Sequence, residues 1–328
     1  MIRMSKQTMI ITLIAIVLLT VTFIVYRLAD RYLIEHFEVI VEPSTQTPSA
    51  GTSQGSDTES TSDAAELSNV EEKQTMAHWD DWSYEDETQT IQIEKVQTGS
   101  GEDKITYYVA DVTFQDEANL DTAFAKNAFG TNIIEDTSTI AENNNAIFAI
   151  NGDYYGFRSD GVIIRNGTLF RDEPAREGLA LYSDGSLQAY AEEAISSDAL
   201  LEAGVTDTFS FGPALVTEGE IAGDFSSVKI DKNFGNRSIQ AANPRTGIGM
   251  VLPNRFLFVV VDGRSSKSRG MTLTEFAELF QDLGAVEAYN LDGGGSSTMY
   301  FMGRVVNDPL GKGNERGVSD IIYIPKSV

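Results

Sequence analysis

Residues 289–300 read YNLDGGGSSTMY, and they gather the groups most able to do chemistry. Asp292 is a carboxylate at the end of an apolar run. Gly293, Gly294 and Gly295 follow, with no side chains to hold a ligand away from backbone N–H groups. Ser296 and Ser297 add hydroxyls. Two other stretches have the same form. Asn151-Gly152-Asp153 closes the apolar run AIFAI, and Asp262-Gly263-Arg264 closes RFLFVVV. Carboxylates beside glycines at strand ends make a pocket for an oxygen-rich ligand if the fold brings them together. The same acids could cage calcium or magnesium, although no D-x-D-x-D-G loop occurs. Neither a phosphate loop G-x-x-x-x-G-K-[ST] nor a dinucleotide turn G-x-G-x-x-G after a strand is found.

The elements that must position these loops are legible from pattern. RFLFVVV at 255–261 is a continuous apolar strand, and 285–291 is the next strand. Between them, 273–283 reads as a helix, with Leu273, Phe276, Ala277 and Phe280 on one face. Thr272 and Glu275 match the T-x-x-E capping box, and Gly284 stands where a left-handed cap is expected. If both strands share a sheet, the crossover makes them run the same way. Asp262 and Asp292 then sit on one edge, outside the carboxyl ends of the strands, where ligands of such sheets bind. Strand 146–150 is placed to deliver Asn151 and Asp153 to that edge. Upstream, 90–96 and 104–114 read as strands. Residues 161–170 form a hairpin turning on Asn166-Gly167, and 178–190 repeats the pattern. Residues 120–129 read as a short helix or turn, 137–144 as a short helix, and 209–216 (FSFGPALV) as one strand. The fold class is therefore α+β, a mixed β-sheet core with a strand–helix–strand unit near the C-terminus.

Composition divides the chain. Residues 9–26 (MIITLIAIVLLTVTFIVY) are almost wholly apolar, long enough to cross a bilayer as a helix. Arg3 and Lys6 precede the run and favour a cytoplasmic N-terminus, and the flank YRLADRY is a poor cleavage site. Residues 1–41 thus read as a cytoplasmic tip, an uncleaved signal anchor and its flank. Residues 42–87 are rich in Ser, Thr and acidic residues and read as a disordered stalk. Residues 88–328 read as the globular domain. The expected location is the cell membrane, single-pass, with the C-terminal domain extracellular. Of the 328 residues, 49 are acidic and 24 basic, a net charge of −25, which argues against a nucleic-acid partner. The chain has no cysteine, which removes disulfides and thiolate chemistry.

NGDYYG, RNG, NPRTGIG, VVVDGR, MTLTEFAELFQDLGA, NLDGGGSSTM, VVNDP and NERGVSDII follow one another in the order of the motifs of the phosphodiester glycosidase family. The chain resembles that family over roughly residues 100–328. The resemblance implies cleavage of the bond between a sugar's anomeric carbon and a phosphodiester oxygen. A phosphate monoester leaves without strong acid help. The protein must then hold the phosphate, stabilise an oxocarbenium-like sugar, and activate water or supply a nucleophile. On this reading Asp292 is the first choice for base or nucleophile and Asp262 the second, with Glu275 a further catalytic candidate. Arg245 and Arg264 clamp the phosphate, because a guanidinium fork matches two oxygens at once. Asn151, Asp153, Thr246, Asn290, the glycines 293–295, Ser296 and Ser297 complete the substrate site.

Several residues carry a second reading. Glu275 serves as a helix cap as well as any site. Asp262-Gly263 could be only a turn, and Asn166-Gly167 reads as one. Arg165 is either a surface charge or a site residue. Arg316 either pairs with Glu315 or Asp320 or points into the site. Asn307 shapes a turn. No cofactor is expected, with a divalent cation at Asp153, Asp262 and Asp292 as the alternative. The expected substrate is a glycan or glycopolymer carrying a sugar-1-phosphodiester, in a cell wall or an exported polysaccharide. The rivals are a glycan-binding assembly protein without turnover and a sugar-phosphate transferase.

Overall fold

Strand Arg255–Val261 is buried on both faces and shows how the layers form. Its side chains alternate, as strand geometry requires. Phe256, Phe258 and Val260 enter one core with Phe148, Ile150, Met299 and Ile322. Leu257, Val259 and Val261 enter a second core with Leu273, Phe276 and Phe280. The sheet holding this strand is thus a middle layer. A second sheet covers one face, and helix Leu273–Asp282 covers the other. The computed structural model describes residues 6–41, 77–230 and 239–326. Most of the expected 42–87 stalk lies outside them.

The middle sheet has nine strands. Its centre runs Glu287–Asn290, Arg245–Leu252, Arg255–Val261, Ile105–Phe114, Gln89–Thr98. The covering sheet has five strands, and Ala146–Asn151 is its centre, between Met299–Phe301 and Asp320–Pro325. Ladders between described strands are antiparallel. Strands Arg255–Val261 and Glu287–Asn290 both pair with Arg245–Leu252, so they run the same way with one strand between them. The fold is α+β, and the strand–helix–strand unit is present.

Helix Leu273–Asp282 packs on bare backbone. A Cβ on Gly247 would lie 2.9 Å from the Phe276 and Phe280 rings, and one on Gly249 would lie 2.8 Å from Phe280. The helix begins as its sequence predicts. The Thr272 hydroxyl accepts from the Glu275 N–H, and Glu275 Oε2 accepts from the Thr272 N–H at 2.9 Å. Gly284 takes φ +86° and ends it.

Two segments depart from the pattern reading. Residues 120–129 hold strands Asp121–Phe124 and Ala128–Thr131, with alternating burial in the first. Pairing with Asp320–Pro325 overrides the helical propensity of LDTAFAKNAF. FSFGPALV is two strands, not one. Val205–Phe209 and Ala214–Thr217 lie in different sheets, and the chain turns at Gly212, whose φ is +78°. The ordered part also reaches beyond residue 88. His78–Trp79 and Ser83–Glu85 extend the nine-stranded sheet, and His36–Ile40 pairs with Ala128–Thr131. Upstream of His36, helix Lys6–Tyr32 is exposed, with a stretch at Ile11–Asp30 apolar and long enough to cross a membrane.

Candidate active site

The carboxyl ends of the two parallel strands, the start of Arg245–Leu252 and the end of Ala146–Asn151 meet at one rim. Two bonds tie the loops of the two sheets. The Asn151 side-chain amide donates to the Asp292 carbonyl at 2.6 Å, and the Asp292 N–H donates to the Gly152 carbonyl at 3.3 Å. Asn151 Oδ1 accepts from the Thr246 hydroxyl at 2.7 Å and from the Thr298 N–H at 3.2 Å. Asn151 and Thr246 are fully buried. They hold Asp292 in place and do not face a ligand. Asn290 likewise spends its amide on the Gly212 carbonyl at 2.8 Å.

Gly152 must be a glycine. A Cβ there would lie 2.4 Å from Asp320 Oδ1. That oxygen accepts from the Asp153 N–H at 2.7 Å, and Asp320 Oδ2 takes Arg165 Nε and Nη2 at 2.9 and 2.6 Å. Arg165 is therefore neither a surface charge nor a site residue. It is a buried partner that props the 151–153 loop. Burial pushes the Asp320 carboxyl up to about 6, against the pull of Arg165. Asp153 accepts from the Tyr154 and Ser210 N–H groups at 2.6 Å each, so both its oxygens shape the loop.

Asp292 is only 8% exposed. Burial raises its carboxyl above the usual aspartate range. Arg316, the Ser296 hydroxyl and Arg158 oppose that rise, and Asp153 adds to it. Arg316 Nη2 lies 3.3 Å from Asp292 Oδ2 and also donates to Ser296 Oγ. Of the alternatives open for Arg316, the structure selects the pocket, while Glu315 binds Ser138 instead. The glycine run lies between two guanidinium groups. A Cβ on Gly294 would meet Arg264 Nη1 and Nη2 at 3.1 Å, and one on Gly295 would meet the Arg316 side chain at 3.1–3.3 Å. Glycine is thus the residue that lets both cations close on the loop. One of the expected backbone donors is already spent: the Gly294 N–H goes to the Pro244 carbonyl at 3.0 Å. The Ser297 hydroxyl is buried with no partner among the described residues.

Arg158 lies just beyond the NGDYYG motif and outside every stretch that marks the site in the sequence. It is 8% exposed, and its guanidinium carbon lies 5.1 Å from the Tyr154 ring centroid and 5.0 Å from that of Phe211. Nη1 donates to the Ser210 carbonyl at 3.1 Å. Nε and Nη2 are buried and have no partner among the described residues. A buried cation with idle donors, close enough to Asp292 to lower its pKa, is an anion site in waiting. The available sequence signal was a lone arginine seven residues after Asn151, inside an aromatic-rich loop.

Two expected site residues are redirected. Arg245 begins its strand at the rim, but its side chain turns to carbonyls. Nε donates to Met271 at 3.0 Å, and Nη2 donates to Ile239 and Ala241 at 2.5 and 3.0 Å. Burial, with Arg264 near, pulls its pKa down to about 10. It staples the 239–245 segment and has little left for a phosphate. Glu275 is consumed by Arg269, at 2.5 and 3.0 Å, and by its cap; these partners hold it at about 2. It serves as the helix cap. Asp262 is tied to the 307–308 segment. Its Oδ1 accepts from the Asn307 amide and the Asp308 N–H, both at 3.0 Å, and Asn307 also donates to the Ser297 carbonyl at 2.9 Å. Asn307 is thus a bridge between loops. Burial raises Asp262 to about 6. Among the described residues no group of three or more His, Cys, Asp or Glu is arranged to hold a metal.

A family model described as phosphodiester glycosidase matches residues 144–325, which include every loop of this rim. The chain belongs to that family. It is 30% identical over 205 residues to an uncharacterized SPbeta prophage-derived protein, YomE, of Bacillus subtilis, a match covering 60% of this chain and 30% of that one. It is 35% identical over 74 residues to N-acetylglucosamine-1-phosphodiester alpha-N-acetylglucosaminidase of Bos taurus, covering 23% of this chain and 14% of the relative. The chain thus spans less than a third of the length of either curated relative. The fold is shared with the catalytic domain of the zebrafish N-acetylglucosamine-1-phosphodiester alpha-N-acetylglucosaminidase, in a structure auto-inhibited by its pro-peptide. The TM-score is 0.57 at 21% identity, covering 73% of this chain and 84% of that one. A hypothetical protein from Synechocystis gives a TM-score of 0.53 at 16% identity, covering 72% and 62%.

Proposed function

We propose that this phosphodiester glycosidase family member is a hydrolase that cleaves the anomeric C–O bond of a sugar-1-phosphodiester. The observation that carries the reading is buried Asp292 with the Arg316 guanidinium in contact and, near enough to lower its pKa, buried Arg158 with two idle donors. A carboxylate alone would suit many hydrolases. A carboxylate among guanidinium groups and a glycine run suits a substrate with a phosphate next to the reacting carbon.

In the reaction, Asp292 acts as base toward water or as nucleophile toward the anomeric carbon. The C–O bond breaks with its electron pair going to the phosphate oxygen. Arg158 and Arg316 hold that phosphate and stabilise the charge it gains, while Arg264, whose Nε and Nη2 donate to Asn243 Oδ1 at 3.1 and 2.9 Å, closes on Gly294 beside them. Asp262, Asn151 and Asn307 position the loops. The Tyr154, Phe157 and Phe211 rings beside Arg158 offer an apolar wall for the sugar; Tyr154 and Phe157 stack at 4.8 Å. Helix Lys6–Tyr32 anchors the chain in a membrane, and the folded part faces the outside, where cell-wall and exported polysaccharides are found.

The test is a sugar-1-phosphodiester with a chromogenic aglycone, given to the wild type and to Asp292→Asn. Wild-type protein should release sugar. The variant should lose at least about 10³-fold in kcat, the scale of a lost catalytic base or nucleophile, with an unchanged melting curve. Wild-type turnover by Asp292→Asn would remove Asp292 from the mechanism. Transfer of the sugar to an added alcohol in place of water would make the protein a transferase.

A further inference from the structure

Helix Lys6–Tyr32 is not hung from the folded part by a long tether. Three residues after it ends, strand His36–Ile40 lies on Ala128–Thr131, and the Val41 N–H donates to the Asn127 carbonyl at 2.8 Å. The Asn132 side-chain amide caps the helix end, donating to the Asp30 and Ile34 carbonyls at 3.0 and 2.8 Å. Lys126 pairs with Glu35. The helix end is therefore fixed to the domain at several points.

That junction adjoins the site. Asn132 is buried, and its own N–H donates to the Gly156 carbonyl at 2.9 Å. Gly156 lies in the loop that carries Asp153 and Arg158, and three residues of chain span at most about 11 Å. On its other side Gly156 packs against Ser319, where a Cβ would meet the hydroxyl at 2.3 Å. Ser319 lies three residues from Arg316. The Arg158 loop is thus bonded to Asn132, which clasps the helix, and the Arg316 segment packs on that loop through Ser319. The edge is also apolar toward solvent. Every residue of His36–Ile40 is exposed, and Leu33, Phe37, Ile40 and Ile134 leave large apolar side chains uncovered. This apolar edge continues directly from the apolar helix. The helix supplies the attraction that a chain of net charge −25 would not find on an anionic bilayer.

We propose that the folded part lies on the bilayer surface along the His36–Ile40 edge, and that its substrate is a sugar-1-phosphodiester whose second ester arm is anchored in the lipid. This rests on the membrane-anchored glycosidase reading above. It narrows the substrate from a polymer at any depth of the wall to one presented at the membrane.

Because the chain has no cysteine, single labels are clean. The full chain is put in phosphatidylcholine vesicles carrying headgroup-level nitroxide quenchers. An environment-sensitive fluorophore is attached at Ile134→Cys, or at Glu117→Cys beyond the opposite end of the Arg255–Val261 strand. The Ile134 label should shift to the blue and be quenched, and the Glu117 label should not. The same sugar phosphate is then offered on a bilayer-embedded dialkyl aglycone and on a soluble methyl aglycone. The embedded form should have about tenfold higher kcat/KM or more, as for a reaction confined to one surface. Inserting about twenty Gly/Ser residues between Tyr32 and Leu33 lets the domain lift by about 25 Å. The preference should then fall toward unity while the soluble substrate is still cleaved. An unquenched Ile134 label on vesicle-bound protein overturns the inference, and so does a preference that survives the insertion. A quenched label with neither phosphodiester cleaved overturns the glycosidase reading and the lipid substrate with it, and leaves the docked edge supported.

Discussion

The carboxylate of Asp292 sits in a field of mixed sign, and its pH dependence follows. Burial is the largest influence and lifts its pKa, while Arg316 is the largest of those that pull it down. The working form as base or nucleophile is the anion. Turnover should therefore be lost as pH falls through a pKa above the usual aspartate range. Removing the Arg316 charge takes away a stabiliser of the anion, so in Arg316→Met the acid limb of kcat/KM should move to higher pH. A limb that stays put would mean another group controls it. Arg158→Met keeps an apolar filler between Tyr154 and Phe211 but removes the idle donors. One charged hydrogen bond is worth about 1.5–3 kcal/mol, so KM for the phosphodiester should rise about ten- to hundredfold, with kcat changed less. An unchanged KM would make Arg158 a packing residue only. The sequence displayed Asp292 because its signal is local: an apolar strand, an acid, then glycines. It could not display Arg158, whose setting depends on Phe211, distant in the chain. Arg245 and Glu275 show the same limit. Residue type announces a charge, but not how many of its donors or acceptors the neighbouring backbone and side chains consume.

The elements that carry the loops were largely legible. RFLFVVV announces burial on both faces, and the capping box fixes where the next helix starts. The common direction of 255–261 and 287–290 followed from the crossover between them. The strand inserted between the two did not, because ladder partners are chosen by the whole sheet. The same limit explains 120–129, where a sheet edge recruited residues of helical composition. Helix Leu273–Asp282 can approach its sheet only because positions 247 and 249 lack side chains. A methyl on Gly249 would press on Phe280 at 2.8 Å and on the Glu287 carbonyl at 3.2 Å. Overpacking of this kind costs about 1–3 kcal/mol. Gly249→Ala should therefore lower the melting temperature by several degrees in thermal unfolding, while KM stays near wild type. An unshifted melting temperature would mean the helix can slide on the sheet.

Composition divides the whole molecule into an apolar helix, a polar acidic stretch and a globular remainder, and that division needs no structure. The strand at 36–40 is hard to read in the sequence, because HFEVI alternates over only four residues and burial does not follow that alternation. All five side chains are exposed, and its register is set by backbone bonds and by the clasp of Asn132 and Lys126. Its place before residues 42–76 gives the chain an unusual response to proteolysis. A cut anywhere in 42–76 severs the covalent path from helix to globular part, yet the amino-terminal fragment still contributes a strand to that part. Shedding would then need two events, hydrolysis and the peeling away of a short ladder. A nicked molecule would stay assembled in two pieces until the second occurred.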